Sequence, residues 1–382
     1  MQWQNFDKRN SDLFAIPELI SKGVEVEYWD VSEISIPGYQ VHSYKVPDGL
    51  IIRKVRDKKH FEELLLSNSP KTAYVVHMTY CDYSYSCFHL LSKHKCTIIY
   101  CVNGCLPSIV TEYNSTISYV KTLPIKTIIH IFKQKAYKLA AKTSLVSPTN
   151  YVLASCKDAY NRNECKIGKK TVLVDYNSCD YQQCLSSKVP QLDGFEDAIV
   201  FIDQNLPFHP DNKLEGLYID ADKYFLSMNK LFDAIEQKYN KQIIIAAHPS
   251  CYDNYINGKY FKDRRVVQGC TLEAVRDSWA VVAHNSTAIS FPIIFKKPLI
   301  LVTTEDMHSV RKHTCAFCAL YSKLLNCVYV KSENEISLPD MLSVDEFAYN
   351  SFKYQYLTNP ASEGVSNGEI LFDILAGKYS LN

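Results

Sequence analysis

No stretch of this 382-residue chain is apolar for long enough to cross a bilayer, which takes roughly 20 consecutive apolar residues in a helix. The opening MQWQNFDKRN has no apolar h-region of the kind a secretory signal carries. An excess of one charge is lacking as well. Forty-two Lys and Arg stand against 41 Asp and Glu, a net +1, so nothing pulls the whole molecule toward nucleic acid. These absences lead to the expectation of a cytoplasmic protein without a nucleic-acid partner. Cysteine is plentiful, at 14 residues; without a secretory signal these read as reduced thiols, often core residues, and not as a disulfide framework. A second CxxC is missing. Cys315 and Cys318 in HTCAFCAL form the one pair, and a single half-site does not make the four-ligand set of structural zinc.

Acidic residues are absent from the whole interval between Glu112 and Asp158, which holds Lys121, Lys126, Lys133, Lys135, Lys138, Lys142 and Lys157. Its IKTIIHIFKQKAYKLAAK places apolar and basic residues at helix-compatible spacing. The segment 121–142 is therefore either a helix for an anionic membrane surface or the solvated face of a soluble domain.

What is present is an ordinary globular composition, 47% hydrophobic and 22% charged, with length enough for two domains that each have a core. The clearest organisation lies between Lys241 and Thr304. QIIIAA, RVVQG, WAVVAH and PLILVTT are short apolar runs without polar alternation, the pattern of strands buried on both faces of a parallel sheet. Helical patterns at Thr271–Ser278 and Ser286–Phe295 separate the later ones, which makes βαβαβ. In such sheets ligands bind outside the carboxyl ends of the strands. His248 and Pro249 end one strand; His284, Asn285, Ser286 and Thr287 end the next, with Ser286 placed to cap a helix whose first N–H groups would face an anion. Either loop alone reads as a turn or a cap. Together, at successive strand ends, they read as a phosphate cradle.

This pairing of HP with a Ser-Thr loop, followed by a helix and KKPLILV, resembles the nucleotide domain of bacterial GT-B glycosyltransferases of capsule and lipopolysaccharide assembly. The likeness is to capsule-type Kdo transferases and to sialyl- and polysialyltransferases. It spans about residues 195–305, and the rest of the chain matches in layout. The resemblance implies a CMP-activated acidic sugar as donor, with His248, Pro249, Ser286 and Thr287 on the nucleotide and its phosphate. DAIVFIDQNLPFHPD also looks like surface-polysaccharide proteins. It would supply the first strand of this domain, Ala198–Ile202, with Asp203 and Gln204 at its end, either at the site or fixing the loop. Retaining relatives that use UDP- or GDP-sugars commonly carry a ribose-binding Glu on the helix at 286–295. Here that helix has no acidic residue, and Pro292 is expected to kink or shorten it.

The first half also alternates. A helix is expected at Leu13–Lys22, with strands at Val24–Asp30, Leu50–Val55, Thr72–His77, Thr97–Val102 (ending in the turn Asn103-Gly104), Tyr151–Ser155 and Thr171–Val174. The resemblance calls for one further strand before the first helix, where Met1–Ser11 offers no strong apolar run, so that strand is missing or degenerate. His77 and Asp82 follow the Thr72 strand, where a base for the acceptor hydroxyl of an inverting transferase would lie; a capped polar turn is the other reading. A polar stretch from Asp180 and Tyr181 leads into SSKVPQLDG, which places the linker at about 183–195. Asp220-Ala221-Asp222 has DxD spacing, but it opens a long helical pattern at Lys223–Lys238, so capping accounts for it and no metal is expected.

The expected fold is α/β, two Rossmann-like domains facing a cleft, GT-B-like. Residues 1–185 would form the acceptor side, 186–350 the nucleotide-sugar side and 351–382 a tail helix crossing back. The expected reaction is transfer of a sugar from a nucleotide donor, CMP favoured, to a glycan or lipid-linked glycan acceptor, with inversion and without a metal or other cofactor. A UDP- or GDP-sugar transferase, a polyol-phosphate transferase or a sugar epimerase on the same fold stays open, as does a non-catalytic subunit of a polysaccharide assembly complex.

Overall fold

The computed structural model describes the chain apart from residues 3–4, 36–44, 103–105, 108–135, 137–138, 141–142, 157–158, 161–163, 187, 210–211, 213–217, 250–254, 256–259 and 380–382. The Asn103-Gly104 turn and nearly all of the basic segment 121–142 lie outside the described residues. The chain divides into two compact units, one made of residues 1–105 and 110–186 with 355–382, the other centred on 187–354.

The second unit is built on six parallel strands: β7 (Ile199–Ile202), β8 (Ile243–Ala247), β9 (Val266–Gln268), β10 (Ala280–Ala283), β11 (Leu299–Val302) and β12 (Val328–Val330). Every residue of IVFI, IIIAA, AVVA and LILV is buried, which is why these runs show no polar alternation. The sheet runs β9-β8-β7-β10-β11-β12. Numbered along the unit, this is the order 3-2-1-4-5-6 of a doubly wound sheet, and the direction of winding reverses between β7 and β10.

The helix Ala221–Tyr239 covers one face of this sheet, burying Tyr224, Met228, Leu231, Phe232 and Ile235 at helical spacing against Phe201 and Ile245. Asp220 Oδ1 accepts from the Lys223 amide at 3.2 Å and caps that helix, and left-handed Asn240 (φ 53°) ends it. Asp220→Asn, which keeps a capping oxygen, is therefore expected to leave the urea midpoint nearly unchanged. Asp220→Ala should cost about 1 kcal/mol. Equal losses in the two variants would refute the capping role.

The first unit has a four-stranded parallel sheet, β3 (Ala73–Val76), β4 (Thr97–Cys101), β5 (Tyr151–Ala154) and β6 (Val172–Asp175), and a parallel pair, β1 (Glu27–Asp30) with β2 (Ile51–Lys54). The two are joined through the amino-terminal residues. Gln2 donates to Trp29 O at 3.1 Å and accepts from the Val31 amide at 2.9 Å, while Met1 O accepts from the His77 amide at 3.2 Å. The strand in question is thus degenerate, reduced to one bridge between Gln2 and Asp30. It lies between β1 and β3, at the point where this half in turn reverses its winding.

Two expected elements differ. The helix at Leu13–Lys22 is two, Lys8–Leu13 and Ile16–Ser21. Pro17 is tolerated only in the first turn of a helix, so the second helix starts at Ile16 after left-handed Ala15 (φ 44°), and Asp7 caps the first through the Asn10 amide. The start of the expected linker is the end of a helix, Cys179–Ser186, that buries Tyr181 and Gln182. At the tail, the helix Asn367–Leu375 belongs to the first unit. Asn367 is fully buried: its Oδ1 accepts from the Asn177 amide, its Nδ2 donates to Leu13 O and Asn177 O, and its amide donates to Gln182 Oε1. Cys315 and Cys318 sit buried on the helix Lys312–Leu325, where burial pushes both thiols up.

Candidate functional site

The carboxyl ends of β7, β8 and β10 carry the polar residues of the second unit. Asp203, directly after β7, is 4% exposed. Its Oδ1 accepts from the Asn205 amide at 3.0 Å and its Oδ2 from the His248 amide at 3.1 Å. One carboxylate therefore ties the β7 loop, with Asn205 left-handed at φ 52°, to the β8 loop. Burial nonetheless raises the Asp203 pKa, outweighing the donors from His248 and Asn205. Asp203 acts on the site by fixing its backbone.

His248 is half-buried beyond β8, and its pKa is lowered, first by burial and then by the neighbouring His209. The two imidazoles meet edge to face with centroids 5.7 Å apart. Pro249 is exposed, and its carbonyl accepts from Gln268 Nε2 at 2.7 Å, which docks the β8 loop on the end of β9. His209 is absent from the residues expected above. The available signal was the string FHPD, which sets a His-Pro pair after β7 as AAHPS does after β8.

At the end of β10 the His284 side chain turns into the core. It is fully buried, with Nδ1 2.6 Å from Val302 O and Nε2 3.0 Å from the Tyr224 hydroxyl. Both ring nitrogens are spent in the core, and burial holds the pKa down at about 4, so the ring is neutral. Nδ1–H donates to the carbonyl, and Nε2 accepts from the hydroxyl. Asn285 and Ser286 are half-buried and Thr287 is exposed. Ser286 Oγ accepts from the Ala288 amide at 3.2 Å, a cap as expected from its place. The helix behind it is short, a 3-10 turn Thr287–Ile289 followed by Ser290–Ile294 with Pro292 buried in it. So short a piece has little dipole; an anion here would be held by individual N–H and O–H groups. Gln204 Nε2 donates to Asn285 O at 2.5 Å and so bridges the two loops at the reversal point. Its Oε1 is buried without a hydrogen-bond partner, as is Thr304 Oγ1 beyond β11.

In the first unit His77 lies at the end of β3, half-buried beside the amino-terminal bridge. Its Nδ1 is 3.0 Å from Gln2 Nε2, and Phe14 meets the ring edge-on at 5.6 Å. With the Gln2 amide donating, a neutral His77 carries its proton on Nε2. Asp82 is half-buried in the turn that leads into the helix Tyr85–Lys93, a turn held by Ser84, whose Oγ donates to Thr79 O and accepts from the Cys81 amide.

No family model matches the chain, and no curated protein does. Solved structures do. The wall teichoic acid polymerase TagF is similar over 99% of this chain and 88% of its own, with 10% identity and a TM-score of 0.53. A UDP-N-acetylglucosamine 2-epimerase is similar over 99% and 96%, with 13% identity and a TM-score of 0.50. The calicheamicin glycosyltransferase CalG4 is similar over 97% and 96%, with 12% identity and a TM-score of 0.46. At such identities the likeness is one of fold. With the two parallel sheets it establishes an α/β protein of two Rossmann-like domains, in the GT-B-like fold class. Among the described residues no helix is long and apolar enough to cross a membrane.

Proposed function

We propose that this chain is a glycosyltransferase that moves a sugar from a nucleotide donor to a surface-polysaccharide acceptor. One observation carries the reading: the second unit has the 3-2-1-4-5-6 sheet, and its polar loops stand at the carboxyl ends of the strands on either side of the reversal. The donor sits in these loops. His248 meets its phosphate, and the Ser286 hydroxyl, still able to donate while it accepts from Ala288, meets a second oxygen. The donor class, a CMP-activated acidic sugar, follows from the resemblance of HP and Ser-Thr to the capsule and sialyl enzymes. On the acceptor side His77 or Asp82 takes the hydroxyl proton as the bond to the sugar forms with inversion. His77 serves as that base when Gln2 presents its carbonyl oxygen to Nδ1, leaving Nε2 as the acceptor. A lipid-linked acceptor would bring the basic segment 121–142 to the inner membrane surface.

The test is thermal unfolding of the purified chain with CMP, CDP, UDP and GDP at millimolar concentration. A ligand that binds only the folded state raises the melting temperature by mass action, with about 2.7 kcal/mol of added stability at a hundredfold excess over Kd. CMP is expected to give the largest shift. A larger shift with UDP would move the donor class toward UDP-sugars and bring the epimerase reading forward, and a larger one with CDP would favour a polyol-phosphate transferase. No shift with any of the four would leave a non-catalytic subunit.

A further inference from the structure

The second unit places two histidines together that stand 39 positions apart in the chain (248 minus 209). His209 follows the 3-10 turn Leu206–Phe208 on the β7 loop, and His248 follows β8. Because β7 and β8 are neighbours in parallel register, both loops leave the sheet on the same side. The rings approach to 5.7 Å between centroids at an interplanar angle of 69°, and both remain half-exposed. Their backbones are held in advance. Asp203 accepts from the His248 amide, and on the other loop Asn212 Nδ2 donates to Leu206 O at 2.8 Å while Arg311 donates to Asn212 Oδ1.

Two imidazoles at this separation can each donate to a different oxygen of a single phosphoryl group. The geometry points to His209 and His248 as a paired clamp on one phosphoryl group of the donor; the inference takes its ligand from the nucleotide-sugar reading above. Two imidazolium rings so close repel each other, and the half-buried setting already disfavours the charged form of His248. A phosphoryl dianion reverses both effects. Its binding therefore takes up protons and tightens as the pH falls toward the histidine range. Titratable groups on the neighbouring elements have partners of their own. Asp203 faces the Asn205 and His248 amides, the Tyr255 hydroxyl donates to Asn205 Oδ1, Arg311 faces Asn212, and His284 is spent on Tyr224 and Val302.

The experiment uses the full chain with inorganic pyrophosphate as the probe, and CMP and cytidine beside it. Histidine Cε1–H resonances report the rings, and calorimetry in two buffers of different ionisation enthalpy reports protons. Pyrophosphate should move the His209 and His248 signals together and take up about half to one proton per ligand. His209→Ala should weaken pyrophosphate and CMP about tenfold while leaving cytidine unchanged. His209→Asn keeps a donor, so it should recover part of the affinity but not the proton. The inference is overturned if pyrophosphate moves neither ring, or if His209→Ala binds and takes up protons like the wild type. A pair that answers pyrophosphate in a chain that binds no nucleotide would leave the clamp standing and remove the transferase reading. Nucleotide binding with a silent pair would do the reverse.

Discussion

His284→Ala is expected to destabilise the second unit by about 3–5 kcal/mol, from the cavity and the two orphaned groups together. The imidazole is fully buried, accepts from Tyr224 and donates to Val302 O, and Phe201 meets it edge-on at 5.6 Å. Alanine leaves that carbonyl and that hydroxyl unpaired in the core between β10, β11 and the helix Ala221–Tyr239. The same burial makes the ring an acid switch on stability. Its pKa is held at about 4 in the fold against about 6.5 in the unfolded chain. Between those values the unfolded state binds more protons, so stability is full above about 6.5 and declines as the pH falls toward 4, by about 3 kcal/mol in all. Urea midpoints at pH 7, 5.5 and 4 check this. His284→Gln, which can still pair with one of the two partners, should unfold more easily at pH 7 yet lose less on acidification. An identical pH slope in wild type and variant would falsify the assignment.

That residue also shows where reading from sequence stops. His284 stands at the end of an apolar run and before Asn-Ser-Thr, so along the chain it looks like the first residue of a polar loop. Its burial is decided by Tyr224, 60 positions away on a helix whose period betrays an inward face but not which strand end it meets. Strands β7, β8, β10 and β11, by contrast, are legible because burial on both faces leaves no room for polar alternation, and each is found within a residue or two of its apolar run, whereas the three-residue, partly exposed β12 was not expected. Met1–Gln2 could not be read as a strand. A parallel strand reduced to a single bridge contributes backbone hydrogen bonds and almost no pattern. Pro17 was a readable signal, since a helix drawn across it ignored its missing N–H. The linker helix Cys179–Ser186 was hidden by its polar composition; its buried Gln182 is satisfied by the Asn367 amide, 185 positions on, and that partner has no trace in local sequence. For the site, the motifs locate the loops, while the roles within them, Asp203 as the tie, Gln204 as the bridge and His209 beside His248, exist only once β7 lies between β8 and β10.

Those roles set the last expectation, that His248→Ala lowers sugar transfer by about a hundredfold to a thousandfold, the scale of losing one preorganised donor to a developing charge. The fold should barely notice. The side chain is half-exposed, and the amide that Asp203 accepts from is one that alanine keeps. The urea midpoint should therefore move by less than about 1 kcal/mol, within the range of surface substitutions. Thermal stabilisation by the preferred nucleotide should nonetheless shrink. If His248 meets the phosphate as strongly in the bound donor as in the transition state, the loss appears in KM. If it meets the charge that grows on the departing phosphate, the loss appears in kcat. His248→Asn keeps a donor and should fall between the wild type and alanine. Normal transfer by a well-folded His248→Ala would move the phosphate contact to the β10 loop, and the next substitution would be Ser286→Ala. A variant that binds nucleotide normally yet transfers nothing would place His248 on the reacting bond itself.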